Sequence, residues 1–241
     1  MRVNLHPGFI LHRRPYRETS LLLDVFSRDH GRVGLIAKGA KRKYSRAAGL
    51  LQPFQRLQLA WSGKSELMTL TTVESDTVAY ALKNGELIAG FYLNELIIRM
   101  LHQHEAHPEL FSIYDVTLST LAHADKSVQE ALRIFEKHLL KSIGYGLVLD
   151  HDVQSGCAVE TDCEYYYQAE QGPTQNTPST SDYIQISGKT LSAIDKECLD
   201  TERSLLEAKR LMRYALQRHL GTRPLASKKL YQSYMTNLTE L

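Results

Sequence analysis

The chain has 241 residues, 43% of them hydrophobic and 23% charged, with a formal net charge of +2. Its length suits one large domain or two to three small ones, and its composition is that of an ordinary globular protein. No apolar run approaches the ~20 residues of a membrane-spanning helix. The start, "MRVNLHPGFI", lacks the apolar stretch of a secretory signal. Cys157, Cys163 and Cys198 are too sparse for a disulfide framework. A cytoplasmic protein with reduced thiols and no membrane partner is expected.

The first ~75 residues read as short strands with hairpin signals between them. "GFILHR" is an apolar run ended by Pro15, and "SLLLDVF" and "RVGLIAK" flank the turn-rich "SRDHG". "PFQRLQLAW" and "ELMTLTTVE" flank "SGK". Five short strands with one long basic connection suit a small closed barrel, and the five-stranded OB-fold is the economical choice. Phe9, Phe26, Phe54 and Trp61 are expected in the barrel core. From residue 79 the period changes to helical. "GELIAGFYLNELIIRMLHQ" is apolar on nearly every side and reads as a buried helix. "PELFSIYDVTLSTLA" and "SVQEALRIFEKHLLKSIGYG" follow, the latter with Ser127 as cap and Gly144 as stop. Short connections between them favour a helical bundle.

Residues 142–188 hold no Lys or Arg but seven acids. Here "EYYYQ" and "DYIQI" read as two strands joined by a mobile loop, "AEQGPTQNTPSTS". Helical patterns return at "KTLSAIDKE" and "ERSLLEAKRLMRYALQRHL". In the second of these Leu205, Ala208, Met212, Ala215 and Leu216 share one face, and Arg203, Arg210 and Arg213 lie toward solvent.

The modest net charge conceals a strong asymmetry. Residues 1–65 carry 13 Lys and Arg against three acids, a balance of +10, so the rest of the chain carries −8. Five of those cations (Lys38, Lys41, Arg42, Lys43 and Arg46) crowd into "AKGAKRKYSR", residues 37–46, with no acid among them. Such a loop attracts phosphates without reading sequence, and Tyr44 in its midst offers a stacking surface for an unpaired base. Other chemistries fit poorly. "GLIAKGAK" departs from a phosphate loop, with Ala40 after its second glycine and no Ser or Thr after Lys41. In "HQHEAH" the spacing of His102, His104 and His107 misses the zinc-protease pattern. Cys157 and Cys163 lie six apart, without a second pair, so a four-ligand zinc site is not expected. Carboxylates abound, but no spacing pairs them for acid–base work. The residues point to single-stranded nucleic acid as the ligand.

Five stretches carry a wider resemblance: "RPYRETSLLLDVFSRDHGRVGLIAKGAKR", "LLQPFQRLQLAWSGKSELMTL", "YLNEL" (92–96), "ALRIFEKHLLKSIGYGL" (131–147) and "LGTRPLASKKLYQSYM" (220–235). In content and order they resemble the RecO family of bacterial DNA repair and recombination-mediator proteins. The resemblance implies an α+β chain: an N-terminal OB-fold barrel (1–78), a helical bundle (79–148), a small zinc-finger-like β insertion (149–188) and C-terminal helices (189–241) that pack back on the bundle. The family often carries a four-cysteine zinc module in that third segment; the ligands are missing here, so a metal-free remnant without cofactor is implied. A non-enzymatic protein is implied that binds single- and double-stranded DNA, anneals complementary strands and, with RecR, helps load RecA. It would engage the acidic tail of single-stranded-DNA-binding protein (SSB) and associate with the nucleoid. The DNA contacts expected are Arg14, Arg32, Lys38, Lys41, Arg42, Lys43, Tyr44, Arg46, Arg203, Arg210 and Arg213. For the SSB tail, an apolar stripe rimmed by cations is expected on the helix 127–144, through Leu132, Arg133, Phe135, Lys137 and Lys141, with Leu139 and Leu140 in the stripe. The N-terminal residues alone equally admit an RNA-binding OB-fold protein of translation or RNA processing.

Overall fold

A computed structural model describes residues 2–123 and 127–239. These fall into two compact units, one made of residues up to 123 and from 224 onward, the other of those between. The cuts fall inside the segments 79–148 and 189–241, so the helices of each are shared between the two units.

The first unit begins with β1 (Arg2–Tyr16), β2 (Ser20–Ser27) and β3 (Gly31–Ala37). A short α1 (Arg46–Leu50) precedes β4 (Arg56–Ser62) and β5 (Leu67–Ser75). The five strands close into a barrel in the order β1-β2-β3-β5-β4, with β1 pairing β4. Only β3 and β5 run parallel. This is the closed five-stranded barrel of an OB-fold. Alternation sets its interior: Leu21, Leu23 and Val25 on β2, Val33 and Leu35 on β3, and Leu57, Leu59 and Trp61 on β4 point inward.

β1 is much longer than the "GFILHR" run. Its first half pairs with β4 and its second with β2, and irregularities at Val3/His6 and Ile10/His12 bend it between them. Phe9 and Phe26 are fully buried but lie outside the barrel, a correction to their expected place. Each is one residue out of step with an inward neighbour (Ile10, Val25), so the pleat turns it to the outer face. There they meet the first unit's helices α2 (Asn84–Met100) and α3 (Pro108–His123). Phe9 lies 5.2 Å from Phe111 and 5.0 Å from Tyr114, centroid to centroid. Phe54 likewise packs on Phe91 of α2, at 5.1 Å.

The second unit is built from α4 (Val128–Ser142), β6 (Glu164–Gln168), β7 (Gly172–Thr174), β8 (Ile184–Ser187), α5 (Gly188–Asp195) and α6 (Glu202–Leu220). Ser127 caps α4, its side chain accepting from Glu130 N at 3.0 Å. β7 falls within the tract expected to be a mobile loop, and it completes a sheet in the order β7-β6-β8. Its three residues are buried. Gly172 sits at φ +119°, where a Cβ would come within 2.7 Å of Val153 Cγ1. Pro173 O accepts from Val153 N at 2.9 Å. The carboxylate of Asp152 then ties both sides together, accepting from Gln154 N, Ser155 N and Gln175 N at 2.7–2.9 Å. Burial pushes its pKa up, but those three donors prevail and hold it below the usual carboxylate range.

A polar stripe on α6 clasps this sheet. Arg203, Glu207, Arg210, Tyr214 and Arg218 recur at three- and four-residue spacing, so they share one face. Arg203 pairs with Glu164 at 2.5 Å, Arg210 donates to Gln185 O at 2.5 Å, and Arg218 pairs with Asp182. Tyr214 donates to Asp182 O at 3.0 Å. Glu207 accepts from Ser187 Oγ, Thr190 Oγ1 and Arg203 Nε at 2.6–2.7 Å. Burial raises its pKa, yet these donors outweigh it and bring the value down to about 2.

The chain returns to the first unit in α7 (Ala226–Thr239). Two residues of "YLNEL" organise this unit. Asn94 donates to Leu11 O at 2.8 Å and accepts from Tyr114 Oη at 2.5 Å, joining α2, β1 and α3. Glu95 accepts from Ala226 N, Ser227 N and Ser227 Oγ at 2.7–2.9 Å, satisfying the orphan donors that open α7. Among the described residues no helix is long and apolar enough to cross a membrane.

Candidate nucleic-acid interface

The basic loop leaves β3 at Ala37 and is pinned at both ends. Ala40 is 1% exposed and belongs to the barrel core, as does Leu51 behind α1, and the half-buried Ala47 and Leu50 of α1 pack against it. Between these anchors the backbone makes two successive turns, Arg42 N to Gly39 O and Ser45 N to Arg42 O, each 3.0 Å. Gly39 opens the first at φ +70°, a conformation that a side chain would strain. Lys41 N donates to Thr19 O at 2.9 Å, which stitches the loop to the β1–β2 turn.

What projects from this frame is charge. Lys38, Lys41, Arg42 and Lys43 are exposed, and none forms an ion pair with another described residue. Tyr44 is 89% exposed, with Lys43 Nζ 5.9 Å from its ring centroid. The backbone of Arg46 opens α1; its side chain lies outside the described residues. Arg14 is exposed on β1, paired in register with Leu22. The loop, Arg14 and the β1–β2 turn therefore occupy the same end of the barrel. Two further residues belong there that the sequence reading left out, Tyr16 and Arg17. Arg17 sits at φ +50° with its guanidinium 5.3 Å from the Tyr16 ring centroid. The signal was present: "RRPYR" repeats the composition of "KRKYSR", cations around a tyrosine.

Arg32 does not join this group. It is 8% exposed, and its guanidinium forks onto Asp24, at 3.3 and 2.8 Å. Its remaining nitrogen donates to Ile98 O and Leu101 O at 2.5 and 2.9 Å, closing the C-terminal end of α2. Four of its five donors are thus engaged inside the fold. In the second unit, Arg203 and Arg210 are exposed, as expected, but they are engaged in the α6 stripe. Arg213 is exposed.

The set expected to hold the SSB tail is also largely committed. Phe135, Leu139 and Leu140 are fully buried, because this face of α4 packs on α5 and α6. Arg133 is 8% exposed and pairs with the buried Glu136 at 2.8 Å. Lys137 Nζ donates to Ile194 O, Asp195 O and Glu197, closing the end of α5. Leu132 is half-buried and Lys141 exposed. Cys157 and Cys198 are exposed, and Cys163 donates to Glu160 at 3.4 Å. Among the described residues no three His, Cys, Asp or Glu side chains are grouped so as to hold a metal ion.

Comparison with known proteins matches two family models, "Recombination protein O N terminal" over residues 1–77 and "Recombination protein O C terminal" over residues 85–229. Three similar relatives each bear the name DNA repair protein RecO. The one from Nitrosococcus oceani is 43% identical over 96% of this chain and 94% of its own. Those from Methylococcus capsulatus and Nitrosospira multiformis are 44% and 41% identical, over 96% and 97% of this chain and 94% and 96% of their own.

Proposed function

The chain belongs to the RecO family of DNA repair proteins, and on that premise we propose that it is a DNA-binding recombination mediator rather than an enzyme. It binds single- and double-stranded DNA through the basic end of its barrel and anneals complementary strands. With RecR it helps RecA onto strands coated by SSB, whose acidic tail it engages; of the α4 set, Leu132 and Lys141 are the members left to meet that tail.

One observation carries the DNA-binding reading: four exposed cations without ion-pair partners among the described residues sit on a loop anchored in the barrel core at both ends. A fully mobile basic loop would lose more conformational entropy on binding than one tethered in the barrel core at Ala40 and Leu51. Phosphate contacts of this kind carry no sequence information, which suits a mediator that must act on any damaged strand. The test is Lys41→Ala/Arg42→Ala/Lys43→Ala. It should weaken binding to unrelated DNA sequences about equally. It should also flatten the salt dependence by about 0.7 slope units per lost single-strand contact. Unchanged affinity and slope would remove the loop from the interface. An RNA strand of the same sequence bound far more tightly than DNA would favour a role in translation or RNA processing.

A further inference from the structure

Two tyrosines, one on the basic loop and one at the end of β1, stand at the barrel end that holds the exposed cations, and each has a cation of its own. Tyr44 is the most exposed aromatic of the barrel end, at 89%, with Lys43 next to its ring. Tyr16 ends β1, half-buried, with Arg17 over its ring at 5.3 Å. The Lys41 N to Thr19 O bond joins the loop that carries Tyr44 to the turn that follows Tyr16. We propose that this pair makes the basic end of the barrel selective for unpaired bases, with Tyr44 and Tyr16 as two stacking platforms and Lys43 and Arg17 as their phosphate partners. The proposal rests on the DNA-binding reading above and adds to it the form of strand that the site prefers.

The physical ground is what a nucleic acid offers in each form. A single strand presents both phosphates and base faces. A duplex presents phosphates and base edges, its base faces being covered by their neighbours. The free cations act on either form, but the rings act on unpaired bases alone. Stacking is indifferent to which base is present, because every base has a π-face. When two held strands pair, each base leaves its ring. The site then keeps its phosphate contacts and loses its stacking ones, so duplex product is held more weakly than the strands that formed it.

The experiment uses the full chain and fluorescence anisotropy, with one mixed-sequence oligonucleotide either alone or annealed to its complement. Tyr44→Leu should lower single-strand affinity about tenfold, on the order of 1.4 kcal/mol, and leave duplex affinity within about twofold, since stacking is lost only where bases are unpaired. Tyr44→Phe, which keeps the ring, should bind like the parent. Tyr16→Leu and Tyr16→Phe should show the same pattern with a smaller loss. A parallel fall for both DNA forms, no change for either, or Tyr44→Phe as weak as Tyr44→Leu would overturn the selectivity. An unaltered single-strand affinity in Tyr16→Leu would overturn its two-platform form. Lys41→Ala/Arg42→Ala/Lys43→Ala should weaken both forms together. If it changes neither, the charge reading fails, and that failure is visible separately because the tyrosine variants are judged on the ratio of single-strand to duplex affinity.

Discussion

The loop 38–45 and the α6 helix are similarly rich in cations, yet their charges meet opposite fates. In the loop, Lys38, Lys41, Arg42 and Lys43 have no described acid to pair with, because the surrounding barrel end is itself basic. On α6, Arg203 and Arg218 find Glu164 and Asp182, and Arg210 finds a backbone carbonyl. The acids come from a tract, 142–188, that has no Lys or Arg of its own. A count of positive residues is therefore not a count of available charge. The loop's cations stay exposed without a described acid beside them, while Arg203, Arg210 and Arg218 of α6 hold a small sheet in place.

The comparison extends to α4 and predicts its largest effect there. Arg133→Ala should destabilise the second unit by about 3 kcal/mol, since it removes one partner of an ion pair whose carboxylate, Glu136, is fully buried. Thermal melting with an oligonucleotide titration checks this. A variant that melts like the parent but loses binding to an SSB-tail peptide would show that Arg133 is a surface receptor after all.

A somewhat smaller loss is expected from Glu207→Gln, about 2 kcal/mol for a hydrogen-bonded charge, with DNA affinity untouched. The same group predicts a pH dependence. Its pKa is about 2 in the fold against an ordinary 4.5. Below 4.5 the unfolded chain takes up the proton first, so this contribution is complete above that value and fades as pH falls toward 2. The variant's stability should accordingly vary less than the parent's across that window. Equal acid sensitivity in both proteins would mean that other carboxylates control the transition.

Freeing the α6 arginines should have a modest effect of the opposite sign. Glu164→Gln/Asp182→Asn removes two exposed carboxylates, which frees Arg218 from its acid and leaves Arg203 held by Glu207 alone, so DNA affinity should rise about threefold with a steeper salt slope, as counterion release predicts. Affinity that stays level would mean that this face never meets DNA, masked or not.

The smallest expected effect is none. Purified protein should hold no stoichiometric zinc, and chelators should leave its melting curve in place, because the contacts that close the sheet are hydrogen bonds accepted by Asp152 and made with the α6 stripe. One zinc per chain in elemental analysis, lost together with the fold on chelation, would contradict this.

What the sequence by itself determined about this protein is what local periodicity and composition encode. Apolar runs set off by turn signals located all five barrel strands, because those signals are local, although the expected core places of Phe9 and Phe26 proved to be on the outer face. Ser127 and Gly144 marked the ends of α4, since capping depends on residues within one turn. The charge asymmetry and the clustering of five cations in 37–46 needed no coordinates at all. Tertiary structure alone decided which charges are spent. Arg203 meets Glu164 across 39 residues of chain and Arg218 meets Asp182 across 36, separations that no local pattern reports. Arg32 looked like a basic strand residue until α2 delivered two carbonyls to it. β7 hid in a tract of turn-forming composition, because its strand pairing comes from β6 and the hydrogen bonds beside it from Val153 and Asp152, rather than from its own residues. A side chain's face is set by its neighbours in sequence, but its partner is set by what folding brings beside it.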